Sequence, residues 1–307
     1  MKQLIIIWCL LTTLLHVSCT QIGSTHGQNG ATNGVVVLDI GHYIGGDGAS
    51  TPGPINNKKL TECTWWYQYV YYTKKVIEDA GYRCLVTNRG YAPQNEPLAS
   101  YARRANVIQL NRPDGTPTRY PSRYHADRVA GGMVSADYAI ANKADCAVFL
   151  HHNSSGGWTN GPSPSHIICN KHNGLRLGKT LARTLEHTVL NKDMPNGGRG
   201  CTVTIRSKDA DRSAGWMNAC DDSGIPAAVV EAAFLNNRRH ALYLSNPATA
   251  RHYAETIGHG IVDYLRRYGN EPRHYREDTD TPDCGSFGYA AESRRIRVPG
   301  ADNLWED

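Results

Sequence analysis

Short, mainly apolar runs alternate along this chain with longer segments whose apolar side chains recur every three or four positions. The runs cover residues 35–38, 82–86, 146–150, 166–169, 201–205 and 227–230, each bounded by turn-forming residues, and each reads as a buried strand. Between them, Trp65, Tyr69, Val76, Ile77 and Ala80 fall largely on one helical face, and Gly81 is placed to end that helix. Residues 126–143, 175–190 and 248–268 carry the same helical spacing. Strands apolar at every position, rather than at every second one, are covered on both faces. Their alternation with helices predicts an α/β fold: a single domain with a mainly parallel sheet of roughly six strands, flanked by helices on both faces.

Polar stretches set the limits of that domain. Residues 20–33 hold Gly, Ser, Thr, Gln and Asn with almost nothing to bury, the composition of a flexible tether, and the folded domain is expected over 34–268. Residues 91–121, polar and rich in Pro and Asn, read as a long excursion near the site. Residues 269–307, charged and poor in aliphatics, read as a polar C-terminal tail or a small appended element. At the other end, Met1-Lys2 gives a positive start, and residues 4–15 form an apolar stretch too short for a membrane span of about 20 residues. This is the pattern of an export signal over 1–19. Val17-Ser18-Cys19 resembles a bacterial lipobox, with His16 standing where an aliphatic residue is usual. The expected location is the cell envelope, with membrane attachment through a lipidated Cys19; plain secretion and an uncleaved anchor are the alternatives.

The chain has 307 residues, 40% of them hydrophobic, which suits one medium-sized core. Lys and Arg number 33 against 28 Asp and Glu, mixed along the chain, for a formal net charge of +5. So mild a balance fits a polyanionic surface such as a cell wall. With no basic aromatic stripe and no zinc-finger spacing, nucleic acid is not an expected partner. Of nine cysteines, Cys9 and Cys19 fall in the leader, which leaves Cys63, Cys84, Cys146, Cys169, Cys201, Cys220 and Cys284. An odd set cannot pair completely, and no two have the C-x-x-C spacing of a thiolate zinc site. Disulfides and buried free thiols both stay open.

Candidate chemistry collects at the ends of the expected strands. His42 lies just beyond 35–38, His151 directly after 146–150, and Glu231 directly after 227–230. Ligands of open α/β sheets bind beyond the carboxyl ends of the strands, so these three groups converge on one cleft if the strands are as read. Glu62, at the start of the first long helix, reaches the same region if that helix packs back on the sheet. Two imidazoles and a carboxylate can hold a zinc ion with a fourth position left for water, and a further carboxylate can then move protons between water and a leaving group. Each residue alone also has a structural reading: a His after a strand as a hydrogen-bonded loop residue, Glu62 as a favourable charge at a helix N-terminus. Glu231 resists such a reading, because an unpaired carboxylate among Val229, Val230, Ala232 and Ala233 costs on the order of several kcal/mol.

These residues also carry a family pattern. Leu38-Asp39-Ile40-Gly41-His42 resembles the opening strand and Gly-His turn of the zinc-dependent N-acetylmuramoyl-L-alanine amidases found among bacterial cell-separation enzymes and lysins. Glu62, with Gly81 and then Leu85-Val86-Thr87 and Arg89, is similar to the family's glutamate-led helix and following strand. Ala144-Asp145 through Phe149-Leu150-His151-His152-Asn153 resembles the strand ending in His-x-Asn, and Pro226-Ala227-Ala228-Val229-Val230-Glu231 with Phe234-Leu235 and Asn237 the closing motif. The resemblance runs from about Gly34 to Tyr268. It implies one zinc ion per chain held by His42, Glu62 and His151, with His152 as the rival to His151, and Glu231 as the catalytic acid/base. The implied substrate is peptidoglycan, cut between N-acetylmuramic acid and L-alanine.

The chain departs from the pattern at Ile40, where Pro is usual, at Ala233, where Gly is common, at Asp137, where Arg is expected, and in the length of 91–121. None of these is a proposed ligand, so the departures bear on substrate detail and regulation. Two competing readings are a zinc peptidase or deacetylase acting on another cell-wall amide, and a wall-binding lipoprotein on a catalytically dead scaffold.

Overall fold

The computed structural model describes residues 33–42, 48–88, 96–110, 130–161, 163, 165–170, 174–191, 193–194, 200–206, 215–269 and 293–297. The chain divides into two units, Met1–Ala31 and Thr32–Asp307. The expected export signal, Cys19 and all of the expected tether but Asn33 lie outside the described residues, as does Arg89. No described helix is long and apolar enough to cross a membrane.

The second unit is an α/β domain built on one sheet. Its strands are β1 (Val35–Ile40), β2 (Arg83–Asn88), β3 (Val107–Gln109), β4 (Cys146–Leu150), β5 (Ser165–Asn170), β6 (Cys201–Arg206), β7 (Ala227–Glu231) and β8 (Ser293–Arg297). They lie in the order β3-β2-β1-β4-β7-β5-β6-β8. The first five are parallel; β5 and β6 are parallel to each other but run against β7, and β8 runs against β6. From β1 the chain steps outward to β2 and β3, then crosses back to place β4 on the other side of β1. The strand order therefore reverses between β1 and β4, and the crevice at such a reversal is where open α/β sheets bind ligands.

The helices are α1 (Glu62–Asp79), α2 (Glu96–Ala105), α3 (Ala130–Ala141), α4 (Gly174–Leu185), α5 (Gly215–Asp222), α6 (Arg238–Ser245) and α7 (Pro247–Tyr268), with a π-helical turn at Glu186–Leu190 continuing α4. α1, α4 and α7 cover one face of the sheet, where Trp65, Trp66, Tyr67 and Tyr253 are buried with the outward side chains of β1, β4 and β7. α1 and α7 approach closely at Gly258, where a Cβ would stand 2.9 Å from the Thr73 carbonyl oxygen. The contact is sealed by Thr73 Oγ1, which donates to the Ala254 carbonyl at 2.8 Å. α3 and α5 cover the other face with smaller side chains, among them Ala136, Ala139, Ala219 and Met217.

All six expected strands and the four expected helical segments are present, while two parts of the chain are more ordered than their composition suggests. The stretch 91–121 contains α2 and the short edge strand β3, and within the expected tail 269–307 residues Ser293–Arg297 form β8. Among the described residues, Cys63, Cys84, Cys146, Cys169, Cys201 and Cys220 are buried thiols outside any disulfide.

Candidate metal centre

The pairing of β1 with β4 aligns Ile40 with Leu150, so the residues that follow leave the sheet side by side. Gly41 N–H donates to the Leu150 carbonyl at 3.0 Å. Only glycine fits at 41: an added Cβ would lie 2.5 Å from Nε2 of the His151 ring. His42 then takes φ of 63°, the left-handed region that costs a non-glycine residue about 1–2 kcal/mol. Asn88, at the end of β2, holds that turn in place. Its Nδ2 donates to the carbonyls of Ile40 at 2.7 Å and His42 at 2.9 Å, while its Oδ1 accepts from Tyr67 of α1 at 2.8 Å.

Glu62 arrives from the opposite direction. The segment before α1 folds back on itself, with Ser50 bridged to Thr61 and Thr51 N–H donating to the Leu60 carbonyl at 2.9 Å. Glu62 N–H donates to Ala49 O at 2.9 Å, and Ala49 N–H returns a bond to Glu62 Oε2 at 2.7 Å. The other oxygen, Oε1, accepts from His152 N–H at 2.9 Å. Two backbone donors thus fix a carboxylate that is 1% exposed.

That carboxylate lies between two imidazoles. Glu62 Oε1 is 2.8 Å from His151 Nδ1, and Oε2 is 3.4 Å from His42 Nε2. One ligand atom from each of His42, Glu62 and His151 lies within 4.8 Å of the other two. Burial disfavours the charge on Glu62, but hydrogen bonding to His151 and His42 more than offsets it and holds the carboxyl well below the usual carboxylate range. His151 Nε2 is buried with no hydrogen-bond partner. An ionised carboxylate flanked by two imidazoles, one with an orphaned nitrogen, is a donor set that fits a divalent cation of the zinc type.

His152, one residue on, is placed differently. Its ring stacks on Trp66 at 5.2 Å and meets Trp65 edge-on at 4.7 Å, with Tyr253 at 5.8 Å. Burial pushes its pKa down to about 3, so the ring is neutral inside the aromatic layer. The alternation of side chains along and just beyond a strand separates the two histidines. His152 contributes its backbone N–H to Glu62 and its ring to the core.

Glu231 closes β7, half-buried, on the strand next to β4. His151 N–H donates to the Val230 carbonyl at 3.0 Å, which brings Glu231 to the same end of the sheet as the cluster. The turn after it docks on the His-x-Asn segment: Asn153 N–H donates to Ala233 O, and Leu235 N–H to Asn153 O, both at 2.8 Å. Asn237 caps α6 by accepting from Arg239 N–H and His240 N–H. The structure therefore brings His42, Glu62 and His151 into one group, sets Glu231 one strand over, and turns His152 away. Asn88 and Ala49, which hold the segments that carry His42 and Glu62, have no counterpart among the residues expected from the sequence. Asn88 shares its position at a strand end with the histidines, and that was the only signal.

The profile of the N-acetylmuramoyl-L-alanine amidase family matches residues 36–263, well over half of the chain. Among solved structures, the chain is similar to the amidase AmiC2 of Nostoc punctiforme, at 17% identity and a TM-score of 0.49 over 76% of this chain and 98% of that one. It is similar to Ami1 of Mycobacterium smegmatis at 15% identity and a TM-score of 0.49, over 76% and 97%. The catalytic domain of CwlV from Bacillus (Paenibacillus) polymyxa var. colistinus gives 18% identity and 0.45, over 76% and 98%. No curated protein sequence matches the chain. By the span of the profile match, the chain belongs to the N-acetylmuramoyl-L-alanine amidase family.

Proposed function

We propose that this chain is a zinc-dependent amidase that hydrolyses the bond between N-acetylmuramic acid and L-alanine in peptidoglycan. The observation that carries the reading is the buried, ionised Glu62 carboxylate between His42 and His151, with His151 Nε2 unpartnered. One zinc ion per chain, held by these three residues, supplies Lewis-acid charge that polarises the amide carbonyl and eases proton loss from water. Glu231 accepts the proton of the attacking water as its oxygen bonds to the lactyl carbonyl carbon. It then delivers that proton to the L-alanine nitrogen as the C–N bond breaks. His42 and His151 would hold the ion through imidazole nitrogens, with Asn88 below the Gly41-His42 turn and the strand end of β4 orienting the rings.

The surrounding assignments complete the proposal. Residues 1–19 export the chain, Cys19 is lipidated, 20–33 tether the enzyme, 34–268 form the catalytic domain, and 269–307 follow it as a polar extension. Peptidoglycan in the cell envelope is the partner. Mass spectrometry of the mature N-terminus reads the lipid directly, and an unmodified chain starting elsewhere would replace lipidation with secretion.

The decisive experiment measures zinc content and peptidoglycan products on one preparation. An amidase frees the lactyl carboxyl group of the sugar and the amino group of L-alanine, whereas a peptidase releases cross-bridge fragments. Chelation is expected to abolish release and zinc to restore it. Glu231→Gln is expected to keep the metal and to lower turnover by about a hundred- to ten-thousand-fold. Full activity without metal ends the zinc assignment, and near wild-type turnover in Glu231→Gln ends the role given to that residue.

A further inference from the structure

The register of the sheet sets a second histidine against Glu231. β5 runs antiparallel to β7 and pairs His166 directly with Glu231. Directly opposed residues on antiparallel strands present their side chains on the same face, with Cβ atoms about 4.5–5.5 Å apart. On its other side β7 pairs in parallel with β4, Leu150 opposite Val230, so the next residues, His151 and Glu231, are neighbours. Read across β4, β7 and β5, the row is His151, Glu231, His166, with the carboxylate in the middle.

His166 is outside the metal group and is itself fixed. Its strand is the second one over from β4, about 10 Å away at the usual strand spacing, and it does not join His42, Glu62 and His151 as a metal-capable residue. Its Nε2 is hydrogen-bonded to Oγ1 of Thr204, a buried residue of β6. When the Thr204 hydroxyl donates to Nε2, the ring proton stays on Nδ1, which is then a donor. A donor beside a carboxylate fixes its orientation, and orientation matters for a general base, which acts only within hydrogen-bond reach of the proton it takes.

We propose that His166, locked by Thr204, is a positioning residue for Glu231: its Nδ1–H donates to one carboxylate oxygen and fixes the group so that the other oxygen faces the His151 side of the cleft. This rests on the reading that Glu231 moves the protons. The chain thereby gains an orienting imidazole on the far side of its acid/base from the metal.

The test compares the zinc-loaded full chain with His166→Ala, His166→Gln, Thr204→Val, Glu231→Gln and the His166→Ala/Glu231→Gln double variant on a soluble muropeptide. Zinc content, melting temperature, kcat and KM are measured for each. His166→Ala is expected to lower kcat about tenfold to a hundredfold with zinc content and KM unchanged, the usual scale for groups that orient a site from one layer out. His166→Gln keeps an N–H donor and should recover part of that loss, and Thr204→Val should lower kcat several-fold. If His166 acts through Glu231, the double variant is no slower than Glu231→Gln alone. Wild-type kcat in His166→Ala, or losses that multiply in the double variant, overturns the proposal. Where His166→Ala does not fold, unchanged kcat in both His166→Gln and Thr204→Val overturns it equally. A Glu231→Gln variant that keeps its kcat instead strikes the underlying acid/base reading, and the two failures are told apart by that one measurement.

Discussion

The two faces of the sheet are built from different materials. On one face α1 and α7 bring in Trp65, Trp66, Tyr67 and Tyr253, large aromatic rings that are buried. Under α3 and α5 the fill is Ala136, Ala139, Ala219 and Met217 against Phe149. His151 and His152 leave β4 between these layers and separate. His152 goes into the aromatic layer and neither of its ring nitrogens has a partner there, whereas His151 meets Glu62 and stands 6.0 Å from the Trp216 ring of α5. Adjacent residues of one type thus acquire unrelated tasks from the parity of a strand.

Exchanging those tasks is the hardest test of the comparison. His151→Ala is expected to lose bound zinc, and measurable turnover with it. His152→Ala is expected to keep zinc but to open a cavity among Trp65, Trp66 and Tyr253, at a cost of about 2–4 kcal/mol. In a domain of this size that lowers the melting temperature by roughly 5–15 °C. Metal stoichiometry and thermal melts on both variants decide it. Zinc lost from His152→Ala and kept by His151→Ala would reverse the assignment.

A smaller effect is expected where β1 touches the cluster. Gly41→Ala adds a methyl group against the His151 ring, 2.7 Å from Nδ1, and one of the two segments must shift. Zinc affinity should fall about tenfold or more, as it does when ligand orientation is disturbed. The aromatic layer does not meet this methyl group, so the melting temperature of the metal-free protein should change less than in His152→Ala. A zinc titration beside a melt of the metal-free protein checks both statements. Unchanged affinity would mean that the strand ends of β1 and β4 are free to part.

Six strands could be read from the sequence because each holds a mainly apolar run, most plainly Cys146–Leu150, which is buried throughout. The edges carry no such mark. β3 is three residues long, and β8 reads Ser-Arg-Arg-Ile-Arg, a composition that a strand with only one neighbour tolerates. α2 was hidden by Pro97, which suits the first turn of a helix and not its interior. In the site, the sequence marks His42, Glu62, His151 and Glu231 by residue type and by position at the ends of strands or the start of a helix. The supports of the site leave no such mark. Ala49 and His152 act on Glu62 through backbone N–H groups, which any residue but proline provides, and Asn88 carries an amide with no catalytic signature.

The smallest predicted effect asks whether the aromatic face is held by packing or by its few polar bonds. Trp65 is buried in α1, and its Nε1–H donates to the Leu244 carbonyl of α6 at 2.9 Å while its ring packs on Trp66, Tyr69 and His152. Trp65→Phe keeps a ring in that place and removes the donor. A buried hydrogen bond contributes about 1 kcal/mol net, and the Leu244 carbonyl left behind adds a desolvation cost of similar size, so a loss of about 1–2 kcal/mol is expected. Zinc content and turnover should stay at the wild-type level, because the Trp65 ring packs on Trp66, Tyr69, His152 and Tyr253, contacts that a phenylalanine ring can still make. A urea titration read beside zinc content makes the measurement. A loss as large as that of His152→Ala would show that the single bond to α6, rather than ring packing, holds this face together.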